Sequence, residues 1–317
     1  MKLLNIIITQ VGHPNFRGGG NTVAHEFSES LVLRGNEVTV FYVSPKRLMG
    51  QIPKTAYNIR LLPQSRMPIF NCWKVAKAIA LETKKRKPDV ILSLGYEGFL
   101  VPYIKKGALF IAASHNFLQP ISWRNIFEIR WLFPWNWGKL LYTFQCLLDL
   151  EIKRKADYVQ ALCNFGVEQI RTIYKIPIEK IFVVPNGVRV SSIKYQASRT
   201  EKNVLFMGGS SYHKGLDILI RALPKVIREQ PTLKVFVLGE MKKEELGLHS
   251  LAEKLGVMPN LLWRGLVSRG EMVSFYERAH ISVFPSRLDI FPLGILESMA
   301  YGIPVVATKV GGIPEII

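Results

Sequence analysis

SVFPSRLDIFPLGILESMAYGIPVVATKVGGIPE, residues 282–315, is the stretch that decides how the chain reads. Ser282–Phe284 is β-prone and Pro285-Ser286 closes it. Phe291 to Tyr301 is a run of helix formers, with Gly302 as its stop and Pro304 just beyond. Val305–Ala307 reads as a buried strand, and Gly311-Gly312 lets the backbone approach something closely. Asp289 lies in the loop before the helix and Glu297 within it, with seven residues between them. Acids so spaced point about 80° apart around a helix and do not share a face. They converge if one precedes the helix and the other looks back toward its N-terminus, with the amides of Leu293 and Gly294 between them. Carboxylates accept from sugar hydroxyls, and a helix N-terminus attracts phosphate. A capping Asp with a solvated Glu is the blander alternative, and spacing alone leaves both open.

The same pattern of strand, glycine turn and helix recurs along the chain. Leu3–Thr9 is apolar and β-branched, as a central parallel strand is. Arg17-Gly18-Gly19-Gly20-Asn21 follows; Val23, Phe27 and Leu31 then line one face of a helix that Asn21 caps and Gly35 stops. Glu37–Val43 is the next strand. Gly19 and Gly20 thus sit between a strand and a helix N-terminus, where anions bind, although a merely permissive turn reads the same way. The G-x-G-x-x-G order of a dinucleotide fold is absent. Asn58–Leu62, Asp89–Leu94 and Ala108–Ser114 are further strands, and His115 stands at the C-terminal end of the last, where open α/β sheets bind ligands. A lone histidine there is also commonly structural. Asp157–Leu162, a helix over Phe165–Tyr174 and Ile181–Val184 complete a first domain, residues 1–188. Polar residues 189–202 read as a linker. Asn203–Met207 opens a second domain, residues 203–317, and runs into Gly208-Gly209-Ser210. Lys214-Gly215-Leu216-Asp217 then starts a helix, which places Lys214 well for a diphosphate. Leu233–Leu238, Leu261–Trp263 and Ile281–Phe284 supply the remaining strands.

Asp289, Phe291, Leu293, Glu297-Ser298-Met299-Ala300, Gly302, Pro304-Val305-Val306-Ala307 and Gly311-Gly312 to Glu315 together resemble the nucleotide-sugar site of retaining GT-B glycosyltransferases of the family 4 type. Ala156-Asp157-Tyr158-Val159, Pro185-Asn186-Gly187-Val188, Arg34–Val40 and Lys214-Gly215-Leu216-Asp217 match the same family. The resemblance implies an α/β GT-B fold, two Rossmann-like doubly wound domains facing a cleft that holds the donor. It implies that Lys214 contacts the donor pyrophosphate and that Glu297 binds the ribose. By the same resemblance Asp289 and His115 lie at the sugar, Gly19 and Gly20 beside phosphate and acceptor, and Gly208, Phe291, Leu293 and Gly294 along the donor. The implied reaction moves a hexose from a UDP- or GDP-sugar to a glycan or lipid-linked acceptor, with no cofactor and no metal. No nucleophilic side chain is implied: attack is on the same face, and the leaving phosphate helps deprotonate the acceptor.

The match has departures. The first acid is usually Glu and here is Asp289, one methylene shorter; Arg189 stands where Asp is usual after P-N-G-V. Gly209 stands where an Arg is common, with Arg287 or Lys309 as substitutes for its charge. Family members continue past G-G-x-x-E with another strand and a terminal helix, whereas this sequence stops at Ile317, so a C-terminally truncated chain with an incomplete second domain is expected. The alternative to an active enzyme is therefore an inactive or fragmentary GT-B protein that only binds nucleotide or membrane.

Bulk properties agree with such a protein. The 317 residues suffice for two domains, and 48% hydrophobic content excludes disorder. A net charge of +18 favours anionic partners: nucleotides, an anionic membrane surface or nucleic acid. Cys72, Cys146 and Cys163 form neither a disulfide framework nor a zinc spacing, which suggests a reducing, cytoplasmic setting. No run is long enough for a membrane span. Pro120 to Lys155 interleaves Trp123, Trp131, Trp135 and Trp137 with Arg124, Arg130, Lys139 and Lys153-Arg154-Lys155. Three readings stand, in order: contact with an anionic membrane surface at the inner face of the cell membrane, a helical excursion packed on the first domain, and base-stacking on nucleic acid, the least favoured.

Overall fold

The computed structural model describes residues 3–14, 19–50, 52–114, 137–188, 202–241 and 245–317. His115, Arg17-Gly18, Arg189, the linker as far as residue 201, and the tryptophans at 123, 131 and 135 lie outside the described residues. The chain divides into two units, Met1–Pro185 and Asn186–Ile317.

The first unit runs β1 (Asn5–Val11), α1 (Gly19–Leu33), β2 (Glu37–Ser44), β3 (Asn58–Pro63), α2 (Pro68–Lys85), β4 (Val90–Ser93), a 3-10 segment over Tyr96–Tyr103, β5 (Leu109–Ala113), α3 (Trp137–Lys155), β6 (Tyr158–Ala161), α4 (Asn164–Gln169) and β7 (Ile181–Val183). Its strands form one parallel sheet in the order β3-β2-β1-β4-β5-β6-β7. The second unit runs β8 (Asn203–Met207), α5 (Leu216–Glu229), β9 (Lys234–Leu238), α6 (Glu245–Lys254), β10 (Leu261–Gly265), α7 (Arg269–Arg278), β11 (Ile281–Phe284), α8 (Leu293–Ala300) and β12 (Val305–Ala307). Its sheet is also parallel, in the order β10-β9-β8-β11-β12. Each is a doubly wound α/β sheet, and strand order reverses between β1 and β4 and between β8 and β11. Such reversal points leave a crevice at the strand C-termini, where the loops carry function.

Helices cover both faces, so the central strands are apolar throughout. Ile7, Ile91 and Phe110 pack with Val75 and Ile79 of α2 and Ile152 of α3 on one face; Ile6, Ile8 and Val40 pack with Ala24 of α1 on the other. In the second unit Val235 and Val237 meet Leu216, Ile220 and Leu223 of α5, and Leu205 and Phe236 meet Phe275 and Tyr276 of α7.

Several local expectations are corrected. Asn21 is not an N-cap: it lies inside α1, buried, with its side-chain Oδ1 accepting from Gln10 Nε2 at 3.3 Å. The buried face of α1 is Asn21, Ala24 and Ser28, while Phe27 is exposed, because small residues let the helix close onto the sheet. The helix expected from Phe291 starts at Leu293, because a residue before proline is pushed out of the α region and Pro292 follows Phe291. The segment from Phe165 to Tyr174 is split, α4 giving way to a π turn over Ile170–Tyr174 that ends on left-handed Lys175. Val305–Ala307 is not buried: it pairs with β11 on one side only, and Val306 is 54% exposed.

At the reversal point of the first unit Thr9 of β1 pairs with Ser93 of β4, and Thr9 Oγ1 lies 2.9 Å from both Ser93 Oγ and Glu97 Oε1. Glu97 is fully buried, with Cys72, Tyr96 and Asp149 as its ionisable neighbours. Asp149 is ion-paired with the equally buried Lys153 and accepts from Tyr174 Oη at 2.8 Å. Burial pushes the Glu97 carboxyl up to about 7, from an ordinary value of 4.5. The fold therefore holds this proton more tightly than the unfolded chain does, and that contribution is complete below the unfolded value and is lost as pH rises through the folded one. Wild-type unfolding free energy should fall by about 3 kcal/mol more between pH 4.5 and 8 than that of Glu97→Gln; urea titrations of both proteins at the two pH values check this.

Candidate functional site

Three left-handed glycines shape the reversal point of the second unit, two in the loop after β8 and one in the loop after β12, and a side chain at any of them would be blocked. After β8, Gly209 has φ 62°, and a Cβ there would stand 2.1 Å from the Glu240 carbonyl oxygen. The charge of an arginine at this position is thus excluded by backbone contact. Gly215, φ 72°, ends the 3-10 turn Tyr212–Lys214 and starts α5; its Cβ would fall 1.9 Å from Pro285 O at the end of β11. Gly311, φ 57°, would place a Cβ 1.8 Å from Asp289 O, and Gly312 N donates to that same oxygen at 3.1 Å. The close approach expected of Gly311-Gly312 is thus to the main chain of the acidic loop.

These contacts set the side chains. Lys214 Nζ lies 2.5 Å from Asp289 Oδ2, a half-buried ion pair joining the glycine turn after β8 to the loop after β11. The stem of Lys214 passes over Gly208, whose absent Cβ would lie 2.8 Å from Lys214 Cβ. Arg287 donates from Nη1 and Nη2 to Asp217 Oδ1 and Oδ2, both at 2.7 Å, and from Nη1 to Tyr212 O at 2.9 Å. Its guanidinium lies 4.0 Å from the Tyr212 ring centre, and its own amide donates to His213 O at 2.8 Å. This fork holds the Asp217 carboxyl below the usual carboxylate range. Arg287 is therefore a strap on the turn that presents Lys214, not a substitute for the charge absent at Gly209.

Glu297, in the second turn of α8, accepts from Tyr276 Oη at 2.6 Å. Burial first, and Glu297 second, push the Tyr276 phenol up, so it stays a donor. Its ring stacks on Tyr301 with centroids 4.4 Å apart, and its hydroxyl also lies 3.3 Å from Met207 Sδ. Gly294 lets the first turn of α8 close onto the sheet: a Cβ would stand 3.0 Å from Phe284 Cε1 and 3.2 Å from Met207 Cε. Ser298 Oγ, 2.9 Å from Ser282 Oγ, anchors the same helix to β11. Phe291 and Leu293 flank Pro292 at the start of α8, both half-buried.

The structure thus joins Lys214, Gly208 and Asp289 directly and ties Glu297 through Tyr276 to Met207 at the end of β8. Gly19 and Gly20 open α1 of the first unit, where a Cβ on Gly20 would meet Gln10 Nε2 at 3.0 Å. Tyr276 and the Arg287–Asp217 fork were not singled out from sequence. Tyr276 sits in an ordinary amphipathic helix, and a contact between residues 70 apart leaves no local signal. Among the described residues no helix is long and apolar enough to cross a membrane.

Comparison with known proteins gives consistent matches. Residues 17–192 match the model described as Glycosyltransferase Family 4, and residues 190–317 the model described as Glycosyl transferases group 1. An uncharacterised glycosyltransferase of Methanocaldococcus jannaschii is 32% identical over 164 residues, 47% of this chain and 42% of that protein. The D-inositol 3-phosphate glycosyltransferase of Acidothermus cellulolyticus is 30% identical over 345 residues, 93% of this chain and 71% of that one. Against the first of its curated relatives the chain spans only 42%, 37% and 39% of their lengths. Among solved structures, HepE of Anabaena in complex with UDP-glucose superposes with a TM-score of 0.74 at 17% identity, covering 99% of this chain and 83% of that one.

The backbone contact at Gly311 yields a sharp expectation. Gly311→Ala combines a left-handed backbone with a clash against main chain and should destabilise the second unit by at least about 2 kcal/mol. Gly256→Ala has the same backbone hand, φ 67°, but open space around it, and should cost only about 1 kcal/mol. Urea unfolding of the two variants side by side separates contact from conformation.

Proposed function

The chain belongs to glycosyltransferase family 4, and from that premise we propose that it is a retaining glycosyltransferase that moves a hexose from a UDP- or GDP-sugar to a glycan or lipid-linked acceptor. The observation that carries the reading is the Lys214–Asp289 pair, a cation and an anion held together at the reversal point of a parallel sheet. A nucleoside diphosphate sugar offers both of them better partners. Its diphosphate takes Lys214, a charge-assisted contact, and its sugar hydroxyls donate to the released Asp289. The shorter Asp side chain suits this exchange, since Asp289 already reaches Lys214 from a loop that Gly311 pins. Glu297 accepts from the ribose hydroxyls, aimed by the Tyr276 phenol. The complex of HepE with UDP-glucose supports a donor of this class.

In the reaction the bond from the anomeric carbon to the diphosphate oxygen breaks and a bond to the acceptor oxygen forms on the same face. The acceptor's proton passes to the departing phosphate. Lys214 stabilises the negative charge that grows on the diphosphate, which is stronger in the transition state than in the bound donor. The chemistry calls for no cofactor and no metal. The acceptor side includes an anionic membrane surface, in keeping with a net charge of +18 and with the tryptophan- and base-rich stretch from Pro120.

The first experiment is thermal unfolding of the 317-residue chain against UDP, GDP and ADP, with Glu297→Ala and Lys214→Ala alongside. A nucleotide at about one hundred times its dissociation constant should stabilise the wild type by about 2.7 kcal/mol. Glu297→Ala should lose most of that stabilisation. Lys214→Ala should weaken diphosphates more than it weakens the matching nucleoside. A binding nucleotide whose sugar is never transferred to any glycan or lipid acceptor would point instead to a GT-B protein that binds without turnover.

A further inference from the structure

We propose that the outward face of α2 in the first unit is a docking surface for an anionic membrane. This makes the membrane part of the reading above specific and is independent of sugar transfer. The inward face of α2 is satisfied by the core: Cys72, Val75, Ala76 and Ile79 are buried. The outward face is mixed, with large apolar side chains set among lysines. Phe70, Trp73 and Leu81 are 55%, 54% and 53% exposed, and Met67 at the N-cap is exposed beside them. Large apolar side chains exposed on the face opposite the core call for a second apolar environment.

The cations decide which environment. At 3.6 residues per turn, Phe70, Trp73, Leu81, Lys74, Lys77, Lys84 and Lys85 all fall within an arc of about 120°, and no acid lies in it. Lys77 Nζ stands over the Trp73 ring, 5.1 Å from its centre. Lys74 folds back onto Pro63 O and Ser65 Oγ at 2.6 and 2.7 Å, leaving Lys77, Lys84 and Lys85 as the exposed charges. The acid Glu82 lies off the arc. Rings and an aliphatic side chain set between lysines on one helix face match the interface of a bilayer, where rings sit at headgroup depth and ammonium groups meet lipid phosphates. The neighbouring α3, packed on the same face of the sheet, adds exposed Leu147, Arg154 and Lys155, with Glu151 the acid among them.

Co-sedimentation tests this with phosphatidylcholine vesicles, with and without phosphatidylglycerol. The wild-type chain should pellet with the anionic vesicles only, and less as salt rises. Phe70→Ser with Trp73→Ser changes exposed residues and should melt like the wild type while losing at least about tenfold in partitioning. Lys77→Glu with Lys84→Glu keeps Phe70, Trp73 and Leu81 and should lose as much, so the test survives if the first variant misfolds. Trp131→Ala with Trp135→Ala runs in parallel. If only that variant is released, the membrane reading stands and the assignment to α2 is wrong. Wild-type protein that stays in the supernatant, or α2 variants that pellet as the wild type does, overturn the proposal. So does a change of oligomeric state in Phe70→Ser with Trp73→Ser at unchanged vesicle binding, which would make the face a contact between copies.

Discussion

Everything chemical in the second unit depends on three places where backbone touches backbone. Gly209 against Glu240, Gly215 against Pro285 and Gly311 against Asp289 knit together the loops that follow β8, β9, β11 and β12. All three glycines are left-handed, so the chain turns sharply where the strands end, and none leaves room for a methyl group. The consequence is positional. Lys214 and Asp289 come from loops 75 residues apart, yet their meeting point is set by main-chain contacts on both sides rather than by the side chains themselves. Sites built this way hold their geometry without a ligand, the condition for electrostatic preorganisation.

The architecture was legible because parallel strands buried on both faces announce themselves as continuous apolar runs. Strands over Asn203–Met207 and Ile281–Phe284 have the extents expected of them, and the others lie within a few residues. Errors fall where the sequence carries two signals. Phe291 looks like the start of a helix until Pro292 is weighed. Phe27 looks like the core of α1 until the sheet's need for small residues at Ala24 and Ser28 is considered, while Leu31 does pack on the core as expected. Val306 reads as buried because its strand is apolar, but an edge strand has the same composition as a central one.

The candidate site was legible only as separate words. Lys214, Asp289, Glu297 and the glycines could be picked out from their settings, but their partners could not. Nothing in the sequence around Tyr276 says that its phenol supports Glu297, and nothing near Arg287 says that Asp217 claims it. Such pairings are tertiary: they arise from adjacent strands delivering residues far apart in sequence to one edge of the sheet. The buried carboxyl of Glu97 is similar, since only the register of Thr9 against Ser93 places it beneath the crevice of the first unit.

On the proposed reading, the Lys214–Asp289 pair would also make the site discriminating in a way that neither charge alone could. With the pair closed, Asp289 offsets the charge of Lys214 at 2.5 Å. An inorganic phosphate that captured Lys214 would leave a half-buried carboxylate without its cation. A neutral sugar that engaged Asp289 would strand the lysine. Either ligand gives back much of what it gains, because an orphaned buried charge is expensive. A molecule that carries anion and hydroxyls at the right separation settles both at once. On that reading the pair would work as a coincidence lock, opened by two keys turned together and by neither singly.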